Sequence, residues 1–411
     1  MKPTVLIVTT SCWFPTARLA MALAGAGCCV DAVCPSGHPL GRISAVRQAH
    51  VYRGFVPLKS FAEAIAATKP DFIVPGDDLA TSHLHHLYDR ERKRGTTEQS
   101  VCELIERSLG ASESFPVVYA RTAFMDMARE EGIRAPKTEV ISNINDLRKW
   151  VARVGLPTVL KANGTSGGEG VRVIDTLEEA ERAFRDLQAP PLLARAAKRA
   201  LVDQDKTLVL PSLLRRKYTV NAQAFVAGSE ANSTIVCWNG AVLASLHFGV
   251  VNKRSAAGPS SVLRLIENPE MSSAVEKMAR RLSLSGIHGF DFMLEANTGN
   301  AHLIEINPRA TQVGHLALGP GRDLPAALYA AVSGEPFHAA PKVTEGDTIT
   351  LFPQEWMRDP ASPFLALGYH DVPWEEPELL RACLRKRWKW NLRDSRQDLL
   401  PTLSTVRLPR L

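Results

Sequence analysis

Cysteine is scarce and unpatterned in this chain. Seven occur in 411 residues, two of them adjacent at Cys28 and Cys29, and no CxxC pair is present. That excludes a disulfide framework and a thiolate metal cluster, and reduced, mostly buried thiols are expected. No histidine or other base stands at a telling spacing from Cys102 or Cys383, which disfavours a cysteine nucleophile. No apolar run approaches the roughly 20 residues that cross a bilayer, and the start MKPTVLIVTTS reads as a first strand, not a leader. A cytoplasmic protein is expected. The first turn carries no GxGxxG, so a nicotinamide-binding role lacks its phosphate fingerprint. Net positive charge is confined to one end. The net charge is +6, yet residues 381–411 hold nine Lys/Arg against two Asp, a local +7 that leaves the other 380 residues at −1.

What is present is a hairpin with opposed acids. Residues 290–295 (FDFMLE) and 301–306 (AHLIEI) read as strands joined by Ala-Asn-Thr-Gly-Asn at 296–300. Asp291 then faces Glu305, and period-two alternation adds Asn307 to their face. Like charges directly opposite each other destabilise a strand pair, so the register makes sense mainly with a cation between them. Two carboxylates and an amide oxygen suit Mg²⁺, which takes its other ligands from phosphate and water. Phe290, Phe292, Leu294, Ile304 and Ile306 form the opposite, buried face. The plain alternative is an edge hairpin whose acids sit in water.

Upstream, residues 157–174 form a second hairpin: an apolar strand ending in Lys161, a tip containing Gly164, Gly167, Gly168 and Gly170, and another apolar strand. Bare glycines let backbone N–H groups approach an anion and let the tip close as a lid. Lys161 would add a point charge to a phosphate. The tip lacks a Gly-Lys-Ser/Thr ending and precedes a strand, which argues against a Walker-type loop. Alone it could equally be a loose surface turn.

Strand-Lys, glycine hairpin, then Asp, Glu-x-Asn and Pro-Arg in that order resembles the ATP-grasp superfamily. From about 115 to 335 the chain is similar to the branch holding carbamoyl phosphate synthetase, biotin carboxylase and the carboxylate-amine ligases. The matching residues are Arg121 before a helix and GIRAPKT, Lys161, the loop 164–170, Gln223 to Glu230 in QAFVAGSEA, Asp291, and EINPR at 305–309. The resemblance implies two α+β lobes gripping ATP. Arg121, Lys161, Gly167, Gly168, Gln223 and Glu230 would hold the nucleotide, with Lys161 and Arg121 on phosphates and Glu230 near the ribose. Asp291, Glu305 and Asn307 would hold Mg²⁺, with Mn²⁺ able to substitute. Lys161 and Arg309 are the catalytic candidates, Arg309 because it follows Asn307 on the same period and would stabilise charge on the transferred phosphoryl group. Lys253, Arg254 and Arg264, with Arg309, are candidates for the reacting carboxylate; a solvated basic loop is the alternative. His288, just before Gly289, is more simply structural.

Departures from the family matter as well. Biotin carboxylases carry Gln-Val-Glu-His after the Arg, whereas here Ala310-Thr311-Gln312-Val313-Gly314-His315 has one more residue and Gly in place of Glu. No Met-Lys-Met carrier segment is present either, so biotin carboxylation is disfavoured. The expected activity is an ATP- and Mg-dependent ligase joining a small carboxylate to an amine through an acylphosphate, with release of ADP and phosphate. The alternatives are a bicarbonate-phosphorylating enzyme of the carbamoyl-phosphate-synthetase kind and a nucleotide-binding regulatory protein without turnover.

The expected fold is mixed α/β and α+β: an N-terminal parallel α/β, Rossmann-like domain at 1–113, ATP-grasp lobes at 114–190 and 191–340, and a basic C-terminal extension rich in Pro and Trp at 341–411. In the first domain strands at 4–8, 28–33 and 71–74 alternate with helical patterns at 16–25, 42–49 and 59–67. Loops at the carboxyl ends of such strands gather ligands, and there Asp77 and Asp78 are candidates for an amino group, or else for a helix cap. Thr176 and Glu179 mark a capping box, and 191–205 reads as a mobile connection. The extension, with Trp388 and Trp390, leaves an anionic partner open, though no nucleic-acid motif accompanies it. Many relatives pair through their α/β domains, so a homodimer is also open.

Overall fold

A computed structural model describes residues 2–94, 99–163, 170–190, 212–214, 217–255, 258–336 and 340–383. The chain divides into two compact units, one ending at Val372 and one starting at Pro373.

Mostly apolar runs buried on both faces build three of the four strands of the first sheet. β1 (Thr4–Val8), β2 (Cys29–Cys34), β3 (Val46–Val51) and β4 (Phe72–Pro75) lie in the order β3-β2-β1-β4, all parallel. Crossovers run through α1 (Pro15–Gly25) and α2 (Pro57–Thr68), while α3 (Asp78–Arg94) and α4 (Gln99–Leu109) follow β4. Leu6, Val8, Val33 and Ile73 pack with Phe61, Leu84, Leu87 and Ile105. The helix expected at 42–49 does not form. A 3-10 turn at Pro39–Arg42 leads into the edge strand β3. Half-exposed edge strands give a weak period, and a tertiary contact fixes this one: Arg47 donates to both carboxylate oxygens of the buried Asp31 in β2.

The second sheet is antiparallel. After α5 (Arg121–Glu130), it comprises β5 (Thr138–Ile141), β6 (Thr158–Ala162), β7 (Val171–Ile174) and β8 (Val220–Ala224), in the order β5-β8-β6-β7. Two helices cover one face, α6 (Ile144–Val154) and α7 (Leu177–Gln188). Asn143 caps the first and Thr176 the second, each side chain accepting a backbone N–H three residues on. Glu179 reaches back to the N–H of Asp175. Leu160, Ala162, Val220 and Ala222 pack with Trp150 and Phe184. Alternation therefore turns Lys161, Asn221 and Gln223 to the other face.

The third sheet has seven strands. They are β9 (Gly228–Trp238), β10 (Ala241–Lys253), β11 (Ser260–Leu265), β12 (Gly286–Glu295), β13 (Ala301–Asn307), β14 (Thr348–Leu351) and β15 (Tyr369–Asp371), in the order β13-β12-β9-β10-β11-β14-β15. Phe290, Phe292, Leu303 and Ile306 pack with Met271, Val275 and Met278 of α8 (Pro269–Arg281) and with Phe124 and Met125 of α5. A bulge alters one expectation. Asp291 pairs with Glu305 but Phe292 with Leu303, so the register slips at Ile304. Leu303 takes the core position and Ile304 is only partly buried.

In the second unit, residues 377–383 are helical. The connection 191–205 and Trp388 and Trp390 of the basic extension lie outside the described residues. Among the described residues no helix is long and apolar enough to cross a membrane.

Candidate functional site

The hairpin of β12 and β13 sets Asp291 directly opposite Glu305 and Gly289 opposite Asn307. Asn307 lies two residues beyond Glu305 on the same face, and its Nδ2 donates to Asp291 Oδ2 at 3.0 Å. At Gly289 a Cβ would stand 2.5 Å from Thr311 Cγ2. The missing side chain lets the segment after the hairpin fold back against β12. There the Thr311 hydroxyl meets that of Thr234 at 2.6 Å.

That segment also runs along the end of the parallel sheet. Ala310 N–H donates to Pro75 O at 2.9 Å, and the Thr81 hydroxyl of α3 donates to Pro308 O at 2.7 Å. Between these anchors Arg309 donates from Nε to Asp78 Oδ1, from Nη1 to Ala310 O and from Nη2 to Asn307 Oδ1, each at 3.2 Å. Two separate sheets thus converge on one arginine.

Two cations face the acids, Arg121 from α5 and Lys161 from the second sheet. Arg121, at the first turn of α5, pairs with Glu305 Oε2, and its buried Nε has no partner among the described residues. Lys161 Nζ lies 4.0 Å from the same oxygen and the residue is 6% exposed. Burial lowers the Lys161 ammonium to about 8, with Glu305 opposing the shift. Burial pushes the Asp291 carboxyl up, reinforced by Glu305; in Glu305 burial acts the same way but Arg121 and Lys161 outweigh it and hold it low. Asp291 is therefore the member of the pair held toward its protonated form. Asp291 and Glu305 supply hard oxygens that suit Mg²⁺, with other positions left to phosphate and water; the Asn307 amide, whose Nδ2 faces Asp291 and whose Oδ1 accepts from Arg309, would join them by turning its oxygen toward the acids. Among the described residues no cluster of three His, Cys, Asp or Glu could hold a metal.

The remaining expected residues fall into three groups. Gln223 is buried on the same face as Lys161 but opposite Val159, two residues along β6, and it donates to the Thr138 hydroxyl at 3.1 Å. Glu230 and Lys253 form an ion pair at 2.6 Å, with Glu230 two residues along β9 from Asn232, the partner of Asp291. Arg254 is partly buried, and its N–H donates to Pro259 O. Arg264 does not join the cluster. Its register with Gly249 and Ala231 sets it on the sheet face opposite Asp291, where it pairs with Asp347 at 3.6 Å on the surface. Gly167 and Gly168 lie outside the described residues; the base of their hairpin is closed by Ala162 N–H to Gly170 O at 2.8 Å.

Of the other candidates, Asp77 is a cap and a tie. It accepts from Ala80 N–H at the start of α3 and from the hydroxyls of Thr9, Thr10 and Ser11 and the N–H groups of Thr10 and Ser11. His288 is structural: its ring shares a hydrogen bond with Ser285 O at 2.7 Å, and burial lowers it to about 4. Asn221 escaped the sequence reading. Buried beside Lys161, it accepts from the Thr122 hydroxyl at 3.2 Å and donates to Asn163 Oδ1 at 2.8 Å, joining α5 to the foot of the glycine hairpin. Its alternation with Gln223 in VNAQA was the available signal.

Residues 120–318 match the family model described as the carbamoyl-phosphate synthase L chain, ATP binding domain. The carbamoyl phosphate synthase large chain of Xylella fastidiosa is 26% identical over 274 residues, 65% of this chain and 23% of that protein. The arginine-specific large chain of Bacillus subtilis is 21% identical over 257 residues, 57% of this chain and 22% of its own. The chain thus spans under a quarter of the length of these relatives. Among solved structures, the biotin carboxylase domain of 2-oxoglutarate carboxylase from Hydrogenobacter thermophilus, in complex with MgADP, ADP and bicarbonate, superposes with a TM-score of 0.58 at 14% identity, covering 83% of this chain and 71% of that one. N5-carboxyaminoimidazole synthetase of Staphylococcus aureus gives 0.56 at 13%, covering 82% and 79%. At such identities the likeness is one of fold.

Proposed function

Because this chain belongs to the ATP-grasp superfamily, we propose that it is an ATP-dependent carboxylate-amine ligase. The observation that carries this is the convergence of Lys161 from β6 and Arg121 from α5 on Glu305, beside Asp291, Asn307 and the neighbouring Arg309. A carboxylate is a poor electrophile and is repelled by the polyphosphate, so cations must hold the two in line. Lys161 and Arg121 bind phosphate oxygens, Gln223 and Glu230 the rest of the nucleotide, and the backbone around Gly167 and Gly168 covers it. Asp291, Glu305 and Asn307 hold Mg²⁺, which neutralises charge on the phosphates.

Arg309 binds the substrate carboxylate and, with Lys253 and Arg254, screens its approach. The carboxylate oxygen forms a bond to the γ-phosphorus as the bond to ADP breaks. An amine then attacks the acyl carbon and phosphate leaves with the C–O electron pair. In the same reading residues 1–113 supply the acceptor side of the cleft, 114–190 and 191–340 grip the nucleotide, and 341–411 is an extension whose first part adds β14 and β15 to the third sheet; the enzyme is cytoplasmic and pairs with itself. Purified protein with Mg-ATP, a panel of carboxylates and hydroxylamine as trapping amine tests the activity. Hydroxamate with ADP and phosphate in equal amounts supports a ligase. ADP and phosphate with no acid added, or no hydroxamate with any acid, sinks it.

A further inference from the structure

Asp77 and Asp78 are neighbours in sequence, and the fold separates their tasks. Asp77 is fully engaged by the cap of α3 and the loop at 9–11. Because Asp77 already caps the helix, the Asp78 carboxylate has no capping duty. Among the described residues only Arg309 hydrogen-bonds it, through Oδ1, and its side chain is 40% exposed. The contact is a single bond of 3.2 Å to Nε, not the two-oxygen grip by which Arg47 holds Asp31. Nor is it the sole anchor of Arg309, whose Nη1 and Nη2 have acceptors of their own. Tyr119, 38% exposed, donates its hydroxyl to Asp78 O at 3.3 Å and adds open aromatic surface beside the carboxylate.

Resting on the ligase reading, we propose that Asp78 recognises a protonated amine on the carboxylate substrate, which is therefore an α-amino acid or another short amino carboxylate. The charges favour a group of this kind. A substrate carboxylate bound at Arg309 lies against Asp78, with Asp77 behind and Asp291 and Glu305 at the neighbouring cation position. A simple monocarboxylate would share the Arg309 guanidinium with Asp78 and bring no positive group of its own to that carboxylate. A zwitterion sets its carboxylate on the guanidinium and its ammonium on the free edge of Asp78. Since the two protein groups touch, the two substrate groups must sit on the same carbon or on adjacent ones. Longer ω-amino acids fit poorly.

The test compares matched acids on the full chain with Mg-ATP and hydroxylamine: alanine against propionate, glutamate against glutarate, phenylalanine against 3-phenylpropionate. The expected result is hydroxamate from at least one amino acid at kcat/KM about tenfold or more above its des-amino partner, as a charge-assisted bond allows. Asp78→Asn should lower that ratio by about tenfold through KM, with MgADP binding unchanged and Asp78→Glu restoring part of the preference. A wild-type ratio near one, or a ratio that survives Asp78→Asn, overturns the inference and leaves the ligase reading standing. Hydroxamate from no acid at all overturns the ligase reading and this inference with it. The wild-type comparison does not depend on the variants folding.

Discussion

Asp291→Asn separates a cation site from an ordinary pair of surface acids. Without a cation, the Asp291 carboxyl is raised from 3.8 to about 7, first by burial and then by Glu305. At about 1.4 kcal/mol per unit that costs the free fold up to about 4 kcal/mol above pH 7. Solvent reaching the half-buried site screens part of it, leaving roughly 2 kcal/mol. The sign follows from proton counts. Between pH 3.8 and 7 the folded protein binds more protons than the unfolded chain, so stability contributed by this group falls as pH rises through that window. Asparagine removes the penalty and the pH slope together. With about 2.1 cal/mol/K of unfolding entropy per residue, a chain of this length should gain about 2–5 °C in melting temperature at pH 8. The same variant should lose the stabilisation that wild type draws from MgADP, because a ligand is gone. Melting curves at pH 5 and pH 8, with and without MgADP, read both effects. A variant that melts below wild type without nucleotide, and still shows the full MgADP shift, would refute the reasoning.

Lys161, lowered to about 8 by burial, should make MgATP affinity fall by up to tenfold per pH unit above 8, since only the ammonium form binds phosphate and binding then takes up a proton. Lys161→Met should bind at least tenfold more weakly at pH 7 with a flat profile, and titration calorimetry from pH 7 to 9.5 checks it. Asn221→Ala should cost about 1–2 kcal/mol of stability and lower turnover at saturating MgATP roughly tenfold, since Thr122 and Asn163 lose their link; stability loss with unchanged turnover would make Asn221 purely structural. Glu355, fully buried, accepts from Arg358 Nε at 2.8 Å, Ser261 at 2.6 Å and Ser362 at 2.5 Å. Its carboxyl is lowered from 4.5 to about 2, mainly by the Arg358 hydrogen bonds. The stability it lends is present above pH 4.5 and is lost as pH falls toward 2, so Glu355→Gln should cost about 3 kcal/mol at pH 7 and progressively less in acid, as urea unfolding at several pH values will show.

What the sequence determined by itself was local. Alternation across the hairpin opposed Asp291 and Glu305, but the turn sets Leu294 against Ala301, one residue off the register the loop length implied, and the bulge at Ile304 restores the acidic pair. Caps at Asn143 and Thr176 follow equally from neighbouring residues. Tertiary structure decided what local pattern could not weigh. The edge strand β3 depends on Asp31 being there for Arg47, and the bulge at Ile304 shifts Leu303 into the core without any Gly or Pro to announce it. Arg264 sits in the sequence beside plausible partners, yet strand register turns it to the far face of the sheet. The meeting of Arg309 with Asp78 spans 231 positions. No pattern within a strand or helix encodes such a contact, because it exists only once two separately folded sheets share an edge of the same cleft.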